Sequence, residues 1–439
     1  MSDFYLNDIP LPEALRRFEE QLQHDGLAAP LGRESIPLNE KAAGRVLAGP
    51  LWAKLSSPHY NASAMDGFAV KAKETERATL TSPVDLLVGD QARYLDTGEP
   101  LPGWADAVIP IEETEPIGAG GRVAEDPRNP EYIRIRSAVT PWKHIRAMGE
   151  DMVATQLVLP GGHVLRPVDL GAAAAAGYGS LEVARKPRVA IIPSGSELVP
   201  VGIPVKAGDI IEFNSIVLAA QIEHWGGIAV RFPSVPDQYT AIRDQLKSAA
   251  QAFDLVLLLA GSSAGSEDFS AAVVSELGDL LVHGVAVRPG HPVILGMLDR
   301  GEAARCPIIG VPGYPVSSAL TGEIFIEPLM ARWLGRPEPT RETRRAVLTR
   351  KITSPAGDDD YIRVVLGNVN NRYLAAPLTR GAGVITSWVR ADGLAVLPRG
   401  AQGAAAGDEV EVLLYRNTQE IDRTILATGS HDLTLDLMA

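Results

Sequence analysis

The sequence predicts a multi-domain protein of α/β plus β class: a parallel-sheet α/β domain, a β-rich N-terminal domain with linker helices, and a small C-terminal β-barrel. Three observations predict it. At 439 residues the chain exceeds one ordinary domain, so several cores are expected. From residue 186 onward the pattern strand, Gly/Ser loop, helix repeats, which is the signature of parallel strands joined by crossover helices. The stretches on either side instead alternate short apolar runs with Gly, Pro, Asp and Asn turns.

Taken in order, residues 10–26 read as an amphipathic helix, with Leu11, Ala14, Leu15, Phe18 and Leu22 on one face and Gly26 as its stop. Residues 36–134 read as β-rich, in runs such as 84–88 and 107–111. A helix returns at 167–177, where five alanines, Ala172 to Ala176, suit close packing. In the α/β part, strands are expected at 189–193, 229–232, 255–259 and 307–311. Helices are expected after Asn214 or Ser215, and at 237–253, 268–277 and 316–334. The expected domains are 1–50 with 147–185 as N-terminal helices and a linking subdomain, 51–146 as the β-rich domain, and 186–335 as the α/β domain. Residues 340–415 form the barrel and 416–439 a tail.

Composition narrows the function classes. With 46% hydrophobic and 22% charged residues the chain has material for a core and too much charge for lipid. Its most apolar runs, 170–179 and 255–265, are about half the length of a membrane span. Forty-one Lys and Arg against 54 Asp and Glu give a net charge of −13, which disfavours nucleic acid as a partner. One cysteine, Cys306, and an N-terminus without a basic, apolar leader make a cytoplasmic protein the expectation.

In open α/β sheets, ligands bind beyond the carboxyl ends of the strands. Three such ends carry small residues: Pro193-Ser194-Gly195-Ser196-Glu197, Ala260-Gly261-Ser262-Ser263-Ala264-Gly265 and Val311-Pro312-Gly313-Tyr314-Pro315. Small side chains let backbone amides approach an anion, and helix starts after the second and third loops add unpaired N–H groups. Any one loop could be a plain connection; three together imply a phosphorylated ligand. Glu197, Glu212, Glu267 and Asp268 lie beside them, and carboxylates near phosphate-binding amides suggest a bridging Mg²⁺. Glu267 and Asp268 could equally complement a helix N-terminus. Arg288 and His291, around the turn Pro289-Gly290, offer a seat for an oxyanion, and Asp66-Gly67 taken alone is a tight turn.

Several motifs resemble a known family. Ser63-Ala64-Met65-Asp66-Gly67-Phe68, Thr97-Gly98, Pro100-Leu101-Pro102-Gly103, Ala105-Asp106-Ala107-Val108 and Gly149-Glu150-Asp151 resemble molybdopterin molybdenumtransferase, the enzyme that also forms the E domain of gephyrin. In the α/β half the resemblance continues through Ser194-Gly195, Asn214-Ser215, 261–268, Arg288-Pro289-Gly290 and Val311-Pro312-Gly313, in family order from about residue 10 to 415.

The resemblance implies that the α/β domain binds molybdopterin. It also implies that the protein, with Mg²⁺, transfers molybdate into adenylylated molybdopterin and releases AMP to give molybdenum cofactor. A homodimer is implied, its cleft lying between the α/β domain of one chain and the β-rich domain of the other. Asp66, Thr97, Asp106, Glu112, Arg146, Glu150 and Asp151 would face Asp268, Arg288 and the Pro312-Gly313 loop there. By the same resemblance the catalytic residues would be Asp268, Asp66, Asp151 and Arg288, with Asp268 and Glu197 as metal ligands. Ser194, Gly195, Glu197, Gly261, Ser262, Ser263, Gly265, His291, Pro312, Gly313, Pro315, Thr97 and Arg146 would bind the pterin nucleotide. Molybdopterin adenylyltransferase and molybdoenzymes are further candidate partners.

The chain departs from the family pattern at Asn61, at 259–266, at Tyr314 and at His291, which replaces the Lys of Pro-Gly-Lys-Pro. Two alternatives stay open at this point: a non-catalytic paralogue that binds the pterin cofactor, and molybdopterin adenylyltransferase.

Overall fold

The computed structural model describes residues 8–259, 264–301 and 304–424, with side chains excepted at 264–268. The chain divides into two compact units: Arg33–Val183, and the segment up to Gly32 together with the chain from Ala184 onward.

The larger unit is built on a six-stranded sheet. Its order is Ile228–Arg231, Arg188–Pro193, Leu255–Leu259, Arg305–Val311, Ile294–Asp299, Gly278–His283. The first four strands are parallel, and Ile294–Asp299 runs antiparallel to both of its neighbours, Arg305–Val311 and Gly278–His283. Leu255–Leu259 is wholly buried, as a central parallel strand covered on both faces must be. Leu255 and Leu257 pack with Val189, Ile191, Leu218 and Trp333. Val256 and Leu258 pack with Ala190, Ile192, Ile242 and Leu246 on the other face.

The crossover helices are Asn214–His224, Tyr239–Ala252 and Ala264–Leu277. The expected helix at 316–334 is Pro315–Thr321, a π-helical turn Gly322–Ile326 and Glu327–Trp333. The sequence-based expectations contain no strand at the antiparallel pair Gly278–His283 and Ile294–Asp299, which carries Gly278 and Gly296. In the sheet these glycines allow close approach: a Cβ at Gly278 would run into the Met297 carbonyl, and one at Gly296 into the Asp279 carbonyl.

The N-terminal helix, Leu11–His24, buries Ala14, Phe18 and Leu22 in the core of this α/β module. Although residues 1–50 are expected to group with 147–185, the helix shares its core with the sheet, and Leu15 is exposed.

The C-terminal part closes into a five-stranded barrel. Asp359–Val369 pairs with Arg372–Pro377 and with Gly393–Leu397, and Glu409–Leu414 and Thr343–Leu348 complete the ring. Its first hairpin turns at Asn370 and Asn371, both at positive φ (53° and 60°), as a two-residue loop matched to strand twist requires. A short strand from the α/β module, Val287–Arg288, adds to the barrel sheet in parallel beside Asp359 and Asp360. A buried polar network ties the modules together again: Arg341 pairs with Glu323 at 2.7 Å and Glu327 at 3.1 Å, and Tyr415 donates to Glu323 at 2.9 Å. Burial pushes the Glu323 carboxyl up in spite of these partners.

The smaller unit has two parts. Gly67–Val70 is the centre of a sheet with Ala92–Leu95 and Ala107–Pro110, and Tyr132–Ile135 the centre of a second with Val84–Leu87 and Thr114–Ile117. Phe68, Leu86, Ile109 and Ile133 share their core. A separate core surrounds the helix Pro167–Ala175, where Ala173 and Ala176 are fully buried. Among the described residues, no helix is long and apolar enough to cross a membrane.

Removing the aromatic anchor of the N-terminal helix tests its place in the α/β core. Phe18→Ala should destabilise the larger unit by about 3 kcal/mol, read as a lower urea midpoint.

Candidate functional site

Arg188–Pro193, Leu255–Leu259 and Arg305–Val311 are adjacent and parallel, so the three loops singled out in the sequence leave the same edge of the sheet. In the middle loop, Gly261, Ser262 and Ser263 lie outside the described residues. Gly265 and Asp268 fall in the helix Ala264–Leu277, whose first turns are described as backbone only. The helix starts one turn earlier than expected, so Asp268 lies inside its first five residues.

Between the other two loops is a pocket of about 160 Å³ lined by Pro193, Ser194, Glu197, Glu212, Asn214, Gly313, Tyr314 and Pro315, among others. Ser194 is 1% exposed, and its hydroxyl donates to Asp237 Oδ1 at 2.9 Å. Gly195 has φ +155°, and a Cβ there would meet the Glu197 carboxylate at 2.9 Å, so glycine leaves that carboxylate its room. Among the described residues, no hydrogen bond or ion pair takes up the Glu197 carboxylate, and it is a suitable donor for a hard cation shared with a ligand phosphate. Glu212 serves elsewhere. It accepts from Ser215 N at 2.8 Å and Ser215 Oγ at 2.6 Å, capping the helix Asn214–His224. Asn214 Nδ2 donates to the Gly313 carbonyl at 2.6 Å and holds the third loop. Among the described residues, no three His, Cys, Asp or Glu side chains cluster as a metal site.

A second cleft, about 760 Å³, opens between the α/β module and the barrel. Its walls are Arg288, Gly290 and His291 from the turn, Pro312 to Tyr314 from the third loop, and Ser354, Asp360, Arg363 and Arg380 from the barrel. Gly313 and Tyr314 line both cavities, so the two adjoin.

Arg288 donates from Nε to Asp358 Oδ2 at 2.7 Å. Arg380 pairs with Asp360, whose Oδ2 also accepts from Ser354 at 2.9 Å. Arg363 is different. It is 2% exposed and spends its donors on neutral acceptors, Ser387 Oγ at 3.1 Å and the carbonyls of Thr379 at 2.9 Å and Gly381 at 3.2 Å. Burial, with Arg380 nearby, makes its charge harder to hold. A buried guanidinium without a carboxylate of its own is a seat for an incoming anion. Arg363 and Arg380 were missed in the sequence, since each lies in a barrel segment that reads as plain strand or turn.

In the smaller unit the motif segments converge through backbone bonds. Ser63 N donates to the Glu99 carbonyl, Gly98 N to the Ser63 carbonyl and Ala64 N to the His144 carbonyl, each at 2.9 Å. Arg146 pairs with Ala62 across a two-residue ladder. A Cβ on Gly67 would strike the Ile109 carbonyl, so the motif glycine is a packing requirement. Asp66 Oδ1 accepts from Thr97 N and Thr97 Oγ1, both at 2.7 Å, and these bonds hold its carboxyl below the usual range. Arg146 faces Glu150 at 3.7 Å, and Asn61 Oδ1 accepts from Met148 N at 2.8 Å. Asp106 Oδ1 caps Ala72 N at 2.6 Å, and Glu112 and Asp151 are exposed.

Comparison with known proteins gives a consistent result. Models of the MoeA N-terminal region (domains I and II), of a probable molybdopterin binding domain and of the MoeA C-terminal region (domain IV) match residues 9–177, 190–332 and 345–415. The chain is 35% identical over 407 residues to molybdopterin molybdenumtransferase 2 of Mycobacterium tuberculosis, covering 86% of this chain and 94% of that one. It is 28% identical to molybdopterin molybdenumtransferase of Bacillus subtilis, covering 96% and 98%. Among solved structures it is similar to the molybdopterin biosynthesis moea protein from Pyrococcus horikosii, with TM-score 0.73 and 30% identity over 94% of this chain and all of that one.

The Asp66–Thr97 pair yields a direct test. Thr97→Val should raise the Asp66 titration toward that of an ordinary carboxylate, followed by carbon NMR of the side chain. An unmoved titration would remove Thr97 as its cause.

Proposed function

This chain belongs to the molybdopterin molybdenumtransferase family and acts as a transferase in molybdenum cofactor biosynthesis, and from that premise we propose that it inserts molybdate into adenylylated molybdopterin, releasing AMP. The observation that carries this reading is Arg363, a buried cation that no carboxylate hydrogen-bonds, in the wall of a cleft that adjoins the strand-end pocket. A tetrahedral oxyanion drawn in by Arg288, Arg363 and Arg380 would sit beside a pterin held at the loops after residues 193 and 311.

A dithiolene is already a strong soft donor for molybdenum, so the protein's task is positioning and charge neutralisation. Ser194, Gly195, Gly313 and Pro315 would shape the pterin side of the site, with Gly261, Ser262, Ser263 and Gly265 beside the phosphates. Arg288 and Arg363 would orient the oxyanion. When bound, Mg²⁺ would neutralise phosphate charge between the carboxylates of Glu197 and Asp268. In this reading the protein works as a cytoplasmic homodimer, with Asp66, Thr97, Arg146 and Asp151 of one chain completing the cleft of the other. Molybdopterin adenylyltransferase would supply the substrate and molybdoenzymes would receive the product.

The test is AMP release from adenylylated molybdopterin with Mg²⁺ and molybdate, followed by chromatography. Tight binding of the pterin with no AMP formed would overturn the reading in favour of a cofactor-binding protein. Asp268→Asn should cut AMP release at least about tenfold while leaving the melting temperature nearly unchanged, as expected for a carboxylate serving charge neutralisation. Arg363→Met should weaken molybdate binding by about 10- to 100-fold in calorimetry, the worth of a hydrogen bond to a charged group.

A further inference from the structure

The turn that carries Arg288 also carries His291, whose imidazole touches three charged groups. His291 Nδ1 lies 2.9 Å from Asp8 Oδ2, and its Nε2 lies 3.1 Å from Arg288 Nε. Arg288 Nε can only donate, so Nε2 accepts and Nδ1 carries the proton that goes to Asp8. This is the neutral tautomer. On its Nε2 side the imidazole also faces Asp358 Oδ2 at 3.4 Å, lone pair toward carboxylate. The single Nε–H of Arg288 is therefore shared between Asp358 at 2.7 Å and His291 at 3.1 Å.

We propose that His291 is a binding residue of the oxyanion cleft, whose protonation sets the cleft's affinity for a doubly charged tetrahedral anion. The inference rests on the reading of this cleft as the oxyanion site. A proton added at Nε2 turns the 3.4 Å approach to Asp358 from repulsive to attractive and gives Asp358 a second cationic partner. It also ends the acceptance from Arg288, whose guanidinium then serves the anion with less of its charge committed to the turn.

The charged groups facing His291 are Asp8 from the N-terminal segment, Arg288 from its own turn and Asp358 from the barrel. Asp360, Arg363 and Arg380 also line the cleft. Imidazole alone among these groups ordinarily titrates between pH 5.5 and 8. A lysine here would hold its charge throughout that range, so the histidine makes pH a variable of anion capture.

The experiment is calorimetric binding of micromolar molybdate to the full-length protein between pH 5.5 and 8, with sulfate as a dianion that does not itself titrate in that range. Wild-type affinity for both anions should rise about tenfold as pH falls through the imidazole range. His291→Lys should bind tightly with a flat profile, and His291→Gln weakly with a flat profile. The pH profile of AMP release at subsaturating molybdate should flatten in both variants. A flat wild-type profile, or a slope that persists in His291→Lys, overturns the inference while leaving the cleft as an oxyanion site. If neither the wild type nor His291→Lys binds either anion at any pH, the cleft reading falls, and this inference falls with it.

Discussion

A two-residue strand sets the geometry of the larger unit. Val287 and Arg288 leave the α/β module and pair with Asp359 and Asp360 in the barrel sheet, so the modules are held in register by main-chain hydrogen bonds. Those bonds run beside the cleft, whose wall includes Arg288 and Asp360. They also set the turn with Arg288 and His291 opposite the barrel segment with Asp360 and Arg363. The Arg341 network between the long helix and the barrel braces the same junction from another side.

Charge within that cleft is arranged in a graded way. Arg288 and Arg380 each have a nearly buried aspartate, which stabilises them without a ligand. Arg363 hydrogen-bonds only hydroxyl and carbonyl acceptors, so its burial is answered by no carboxylate bonded to it, although Asp360 lies near. An anion arriving there meets a buried guanidinium that no carboxylate already hydrogen-bonds. Preorganised charge of this kind suits a reaction in which the substrates bring the reactive groups and the protein orients them.

Much of the fold was legible in the residues. The strand runs 189–193 and 255–259 are β-rich in composition and bounded by Gly, Pro or Ser, and the structure has strands there. The edge strands Gly278–His283 and Ile294–Asp299 were hidden because glycine reads as a break locally, whereas here it makes room for a neighbouring carbonyl. In the site, Arg288 and His291 could be read because a Pro-Gly turn frames them. Arg363 and Arg380 could not, since a single arginine in a β segment looks the same whether its head is solvated or buried. Glu212 shows the reverse case: an acid beside a ligand loop that is occupied in capping a helix.

By itself, the sequence determined the class of architecture, the strand-end loops and the family motifs, because these depend on local periodicity and on which residues permit tight turns. The tertiary structure alone decided which charges meet. Asp8, Arg288 and Asp358 come from three distant parts of the chain, and only closure of the barrel against the α/β module brings them around one imidazole. Local pattern carries no record of such long-range pairing, and it is there that the electrostatics of the cleft are set.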